Sequence, residues 1–237
     1  MPSPVLTVFA REPIPGRCKR RLIPVLGADA AAALADAFIR DALAKASRVA
    51  GRNLLIAGAS PGNATRSPYF RALARRYRVR VIDQGWGDLG ARMARVIRPY
   101  ASRGVLLVGT DTPTLPLAML AQSVRLIQGG ASVVVAPALD GGYYALGVRG
   151  DMPPIFNKMR WGRSDVLDAT LARLRARDIP YALGPWWYDV DRPSDLAFLR
   201  AHMSGNLPRS AHSSLPVGNP HPCLATRAIL RNLGSLL

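Results

Sequence analysis

Several segments of this chain place residues suited to phosphate, metal or sugar directly after an apolar run. The first is FAREPIPGRCKRRL, Phe9 to Leu22, where Pro13, Pro15 and Gly16 impose an irregular loop and Arg11, Arg17, Lys19, Arg20 and Arg21 supply five cations. Backbone donors combined with guanidinium forks suit phosphate oxygens, which makes Ala10, Arg11, Lys19 and Arg21 candidate phosphate contacts. The glycines fit neither a Walker loop nor a dinucleotide fingerprint. A solvated basic loop is the plain alternative. The second segment is QGWGDLGARM, Gln84 to Met93. Its glycines, Gly85 and Gly90 among them, allow close backbone approach to a ligand, and Gln84 and Asp88 offer hydrogen bonds to a base or sugar. Asp88 fits equally well as the cap of a following helix.

Carboxylates dominate the remaining segments. Asp111, in GTDTPTLP, lies just past a buried apolar run on a loop shaped by Pro113 and Pro116. That position suits a hard divalent cation, Mg²⁺ or Mn²⁺, or a turn cap. Asp140 precedes Gly141 and Gly142 between two strand-like runs, so it reads either as part of a hairpin turn or as a substrate contact and catalytic group. In WWYDVDRPSDLAFL, Asp189 and Asp191 alternate around Val190 and point to one side of an extended segment, a second pair of candidate metal ligands. Asp195 sits in the first turn of a helix, where the macrodipole accounts for it without chemistry. The histidines, His202, His212 and His221, fall in no strand-end loop, and no G-x-S-x-G elbow occurs. Both facts argue against a His-based triad or a zinc site.

The elements that must carry these loops alternate β-rich and helical patterns, the mark of a mainly parallel sheet with helices on its faces. Strands are predicted at Val5–Ala10, Asn53–Ala57, Val79–Ile82, Gly104–Val108, Ser132–Ala136, Tyr143–Gly147 and Tyr181–Leu183. Helices are predicted at Asp29–Ala50, ending at Gly51, and at Tyr69–Tyr77, Leu89–Tyr100, Leu117–Gln128, Ser164–Arg177 with Ser164 as N-cap, and Pro193–Ala201. The fold class is therefore a three-layer α/β/α domain over residues 1–203. Residues 204–237 read as a tail: Ser204 to Pro222 is rich in Ser, Pro, Asn and Gly, and Thr226 to Leu237 carries apolar residues at helical spacing.

Bulk properties narrow the function classes. The net charge of +17 invites a nucleic-acid reading, yet all the basic residues but Lys19, Lys45 and Lys158 are arginine spread along the chain, and no zinc-finger or RNP signature accompanies them. An anionic small substrate accounts for the charge better than nucleic acid. No apolar run approaches the ~18–20 residues of a membrane span, and the N-terminus lacks a cleavage-site pattern, so the expected setting is cytoplasmic with no membrane partner. Two cysteines, Cys18 and Cys223, make no disulfide framework.

Taken in order, these motifs resemble a bacterial family, long designated a domain of unknown function, that is grouped with glycosyltransferases of the GT-A, nucleotide-diphospho-sugar transferase fold. Some of its members are named for arsenosugar biosynthesis. The resemblance spans about Val5 to Ala201. It implies a GT-A sheet with the nucleotide over its N-terminal half, a divalent metal held by Asp111 and Asp191, and phosphate contacts from Lys19 and Arg21. Two positions depart from the family pattern: Arg20 stands where Lys-Thr-Arg-Leu is usual, and Arg192 where Asp-Val-Asp-Thr-Pro is usual. The second substitution removes a hydroxyl helix cap, worth roughly 0.5–2 kcal/mol.

The expected activity is metal-dependent transfer from a nucleotide-diphosphate sugar to an acceptor of undefined identity, with Asp140 as base or acceptor-positioning group. The alternative is nucleotidyl transfer that releases pyrophosphate, because KRRLIPVLG also resembles guanylyltransferases acting on phospholactate, which share the fold. A non-catalytic nucleotide- or nucleic-acid-binding protein is the third reading, and the carboxylates at positions 111, 140 and 191 argue against it.

Overall fold

The structure is a computed structural model and describes residues 3–206 and 221–233. Seven strands form one sheet: β1 (Val5–Arg11), β2 (Leu54–Ala59), β3 (Arg80–Asp83), β4 (Val105–Val108), β5 (Val133–Pro137), β6 (Tyr143–Val148) and β7 (Tyr181–Leu183). Their order is β3-β2-β1-β4-β6-β5-β7. Only β6 runs against the rest, pairing antiparallel with β4 and β5, which makes Asp140-Gly141-Gly142 the hairpin turn. The helices are α1 (Ile23–Leu26), α2 (Ala28–Ala50), α3 (Pro68–Tyr77), α4 (Leu89–Ile97), α5 (Leu117–Gln128), α6 (Val166–Arg175), α7 (Pro193–Ser204) and α8 (Leu224–Asn232).

The side-chain alternation of a strand divides the interior in two. Leu6, Val8, Leu106, Val108 and Val134 join the core under α2, α3 and α5. Val5, Val105, Leu107, Val133 and Val135 join the core under α4 and α6. The sheet is thus covered on both faces, which is why β4 and β5 read as unbroken apolar runs. The three-layer α/β class expected from the sequence is what the chain adopts. No helix among the described residues is long and apolar enough to cross a membrane.

The differences from the sequence reading are local. The short α1 was not expected. The helix from Ser164 to Arg177 begins at Val166 instead, and its N-cap is Asp165, which makes no side-chain cap bond; the Ser164 main chain abuts the Gly141 turn. At α7, Arg192 is the N-cap without a hydroxyl, and Asp195 compensates by accepting the N–H groups of Asp191 (3.0 Å) and Arg192 (2.7 Å).

The chain beyond residue 204 is not all outside the packed body. Residues 207–220, most of the Ser204–Pro222 segment, and residues 234–237 lie outside the described residues. Within the described part of the helix expected over Thr226–Leu237, α8 covers Leu224–Asn232, with Leu230 and Leu233 buried in the core beside α2. Its N-terminus is met by the buried Asp41, whose carboxylate accepts from Ala225 N (3.1 Å) and Thr226 N (2.8 Å), an anion where the helix dipole favours one. One turn along α2, the buried Lys45 donates to Thr112 O (2.6 Å) and Pro113 O (2.8 Å). His221 N donates to Thr114 O (3.1 Å). The C-terminal segment and α2 therefore clasp the loop that carries Asp111.

This clasp is expected to be acid-sensitive. His221 is buried, and its Nδ1 accepts from Cys223 N at 3.0 Å, so the ring is held neutral. Burial and the Lys45 charge push its pKa down to about 4; Asp41 opposes and Arg48 adds to the shift. The unfolded chain takes up this proton near pH 6.5 and the folded chain resists it down to about 4. The stability contributed is complete above pH 6.5 and is lost as pH falls from there toward 4, by roughly 1–3 kcal/mol. His221→Asn preserves an acceptor and removes the titration. Its stability, measured by urea unfolding at pH 7 and pH 4.5, should vary less with pH than the wild type's; an unchanged slope would show that other groups set the acid response.

Candidate active site

From β1 the chain runs outward to β2 and β3 and then crosses back to β4 on the other side of β1, so a crevice opens past the carboxyl ends of β1 and β4, where ligands bind in sheets of this kind. A cavity of about 1070 Å³ lies there. Of the residues picked from the sequence, Ala10, Arg11, Lys19, Arg21, Gln84, Asp111, Asp140 and Asp191 line it. Asp189 lines it as well. Gly85, Asp88 and Gly90 do not.

Each of those three has a local explanation. Asp88 is the N-cap of α4 and accepts from Ala91 N at 2.8 Å. Gly90 has no room for a side chain, because a Cβ there would stand 2.2 Å from Phe156 O and 2.8 Å from the Trp161 ring. Gly85 adopts a left-handed backbone against the Arg95 guanidinium. Gln84 is buried at the cavity wall, and its amide nitrogen donates to Ala10 O (3.0 Å) and Ala57 O (2.8 Å). The side chain thus ties the ends of β1 and β2 together, and only its amide oxygen is left for a ligand.

The basic loop is ordered by its own chemistry. Glu12 N donates to Ala59 O, and the Glu12 carboxylate accepts from Ser60 and Ser67 hydroxyls. Lys19 turns inward: its side chain is 6% exposed, and Nζ lies 2.7 Å from Asp111 Oδ1, 3.9 Å from Asp191 Oδ1 and 2.6 Å from Val190 O. It also lies 5.2 Å from the Phe38 ring centre. Arg21 pairs with the other oxygen of Asp191. The sequence reading kept phosphate-binding cations and metal-binding carboxylates apart; the fold brings them into contact.

Two extended segments meet at this point. Val190 N donates to Asp111 O (2.8 Å), fastening the Asp189–Asp191 segment to the end of β4. Asp140 accepts from Gly142 N at 2.8 Å, as a turn residue does, and still faces the cavity. Asp189 is pushed up to about 6, first by burial and then by the negative charges of Asp140 and Asp111. Beyond Asp111 a recess of about 200 Å³ continues the site, lined by Asp140, Tyr143, Trp161, Arg163 and Asp189.

Some of these contributors were missed in the sequence. Asp41 and Lys45 fall in register with Leu34 and Phe38 on the apolar face of α2, and two charges within an apolar stripe were a readable signal of an internal role. Arg92 sits on the helix face turned to the cavity. Trp161 lies in an irregular stretch between β6 and α6 that has no periodicity to mark it.

The mostly parallel sheet covered on both faces, with this crevice at its switch point, matches the nucleotide-diphospho-sugar transferase fold. Within that fold, the chain belongs to the family described as uncharacterized protein conserved in bacteria (DUF2064), whose profile matches residues 39–163. The family and fold expected from the motifs are therefore the ones found. Among solved structures, the chain is similar to a candidate nucleotide-diphospho-sugar transferase from Desulfovibrio desulfuricans G20, with 27% identity, 100% of this chain and 97% of that chain covered, and a TM-score of 0.78. It shares its fold with a CMP:2-keto-3-deoxy-manno-octonic acid synthetase complexed with CTP (14% identity, 86% and 100% covered, TM-score 0.53). It also shares it with a cytidylyltransferase from Leptospira borgpetersenii serovar Hardjo-bovis (12% identity, 100% and 97% covered, TM-score 0.52). No curated protein matches the sequence.

Proposed function

We propose that this chain is a metal-dependent glycosyltransferase that uses a nucleotide-diphosphate sugar. The observation that carries the reading is the recess of about 200 Å³ past Asp111, with carboxylates at Asp140 and Asp189 and the aromatic rings of Tyr143 and Trp161 in its wall. Carboxylates accept hydrogen bonds from sugar hydroxyls, and aromatic rings cover the apolar face of a sugar ring. The recess adjoins the basic loop, so a sugar there lies next to a diphosphate held by Lys19 and Arg21.

Asp111 and Asp191 fit a hard divalent ion. They already converge on a single cation, the Lys19 ammonium, and both are oxygen donors. Among the described residues no three His, Cys, Asp or Glu side chains form a self-sufficient metal site, so substrate phosphate would complete the shell. A metal held there supplies charge neutralisation for the departing nucleoside diphosphate. The chain's own residues do the rest: Arg11, Lys19 and Arg21 bind phosphate oxygens, and Asp140 orients the acceptor hydroxyl and takes its proton. Asp189, which lines the same recess as Asp140, is the second candidate base.

One observation favours nucleotidyl transfer as a second reading. Arg17, Arg20 and Arg92 line the cavity in addition to the three cations just assigned, enough positive charge for a triphosphate. A thermal-shift screen separates the two. A ligand at a hundredfold its dissociation constant adds about 2.7 kcal/mol. A nucleotide-diphosphate sugar with Mn²⁺ should give the largest rise in midpoint and the nucleoside almost none. A larger rise from a nucleoside triphosphate than from any nucleotide sugar would favour the second reading.

A further inference from the structure

We infer that Lys19 is the resident counter-cation of the Asp111–Asp191 pair in the ligand-free protein, and that a divalent ion binds by exchanging with it. The inference rests on the metal reading above and adds an order of events. The Lys19 ammonium contacts Asp111 at 2.7 Å and reaches Asp191 at 3.9 Å, so it occupies the space a metal ion shared by those carboxylates would need. An ammonium and a divalent ion cannot both sit against the same Asp111 oxygen, where they would compete for one space and repel each other.

Three further observations point the same way. Lys19 holds a left-handed backbone, φ 43°, that a residue with a side chain rarely adopts, and in that conformation its ammonium is turned onto Asp111 and Val190 O. The Asp111 side chain is 46% exposed, which lets an ion arrive from the cavity without opening the core. Arg21, 56% exposed, holds the other oxygen of Asp191 and can keep that carboxylate in place while Lys19 leaves. The displaced ammonium is then free to face the substrate's phosphates. Metal and diphosphate should therefore bind cooperatively, because the first breaks the ion pair that restrains a ligand of the second.

The test is a Mn²⁺ titration without nucleotide, followed by spin resonance of the free ion, on the wild type, Lys19→Met, Lys19→Gln and Asp111→Asn, each first shown to be folded by its melting curve. Lys19→Met and Lys19→Gln should bind Mn²⁺ about tenfold tighter or more, since a unit charge has been removed from within 4 Å of the ligands. Both should bind a nucleoside diphosphate more weakly, and its enhancement by Mn²⁺ should shrink. Mn²⁺ affinity unchanged or weakened in both Lys19 variants, with binding still lost in Asp111→Asn, would overturn the exchange and leave the metal site standing. Absence of Mn²⁺ binding by every protein, even with nucleoside diphosphate present, would overturn the metal reading and the exchange with it.

Discussion

Replacing Asp111 by asparagine is expected to cost the transfer reaction about 10²–10³ in rate, the typical loss on removing one preorganised electrostatic contributor, while the protein remains folded. The substitution keeps the size and the main-chain anchorage of residue 111, including the Val190 N–H bond to its carbonyl. It removes the charge that meets Lys19 at 2.7 Å and that a divalent ion would require. Lys19 retains Val190 O and the more distant Asp191, so it is not stranded, and with Asp111 half-exposed the loss of stability should stay near 1 kcal/mol. Initial rates of donor consumption with Mn²⁺, read beside the thermal midpoint, check both halves. Normal rates with metal would make Asp111 a turn residue and pass the role to Asp189.

The largest effect on stability is expected at Gly141. Its φ is +88°, and a Cβ built there would stand 1.9 Å from Ser164 O and 2.6 Å from Ser164 C. The obstacle is main chain at the entry to α6, and Leu167 N–H binds Gly141 O at 2.9 Å, so neither side yields without disturbing the other. Gly141→Ala combines backbone strain of about 1–3 kcal/mol with overpacking of about 1–3 kcal/mol. Gly150 is the matched control, with φ +87° and no atom near its virtual Cβ, so Gly150→Ala meets the strain alone. Urea unfolding should show Gly141→Ala to be the costlier by about 2 kcal/mol or more. Equal costs would mean that the Asp140 turn is free to shift away from α6.

The parts of this molecule that local patterning governs were legible in sequence. Leu117–Gln128 and Tyr181–Leu183 fall where expected, the helix because its apolar residues recur at helical spacing and both because turn-forming residues bound them. Asp111, Asp140, Asp189 and Asp191 stood out as carboxylates just past apolar runs, and the crevice gathers all four. Spacing did not reveal partnership. That Lys19 closes on Asp111 depends on how a proline-rich loop folds over α2, and no period encodes it. Gln84 and Asp88 also carry local structural work that spacing does not show: Asp88 caps α4, and Gln84 braces two strands while lining the cavity. The clasp of Asp41, Lys45 and His221 joins residues from 67 to 185 positions apart, and its mark in the sequence was two charges on the apolar face of α2.

Product analysis tests the central claim most directly. Glycosyl transfer breaks the bond between sugar and diphosphate; nucleotidyl transfer breaks a nucleoside triphosphate at its α-phosphate and releases pyrophosphate. Without an acceptor, water can take its place slowly. Purified protein incubated with Mn²⁺ and a panel of nucleotide sugars should yield nucleoside diphosphate and free sugar from at least one of them, and Asp111→Asn should yield neither. Pyrophosphate from a nucleoside triphosphate, with every nucleotide sugar left intact, would contradict the glycosyltransferase reading and establish the nucleotidyl one.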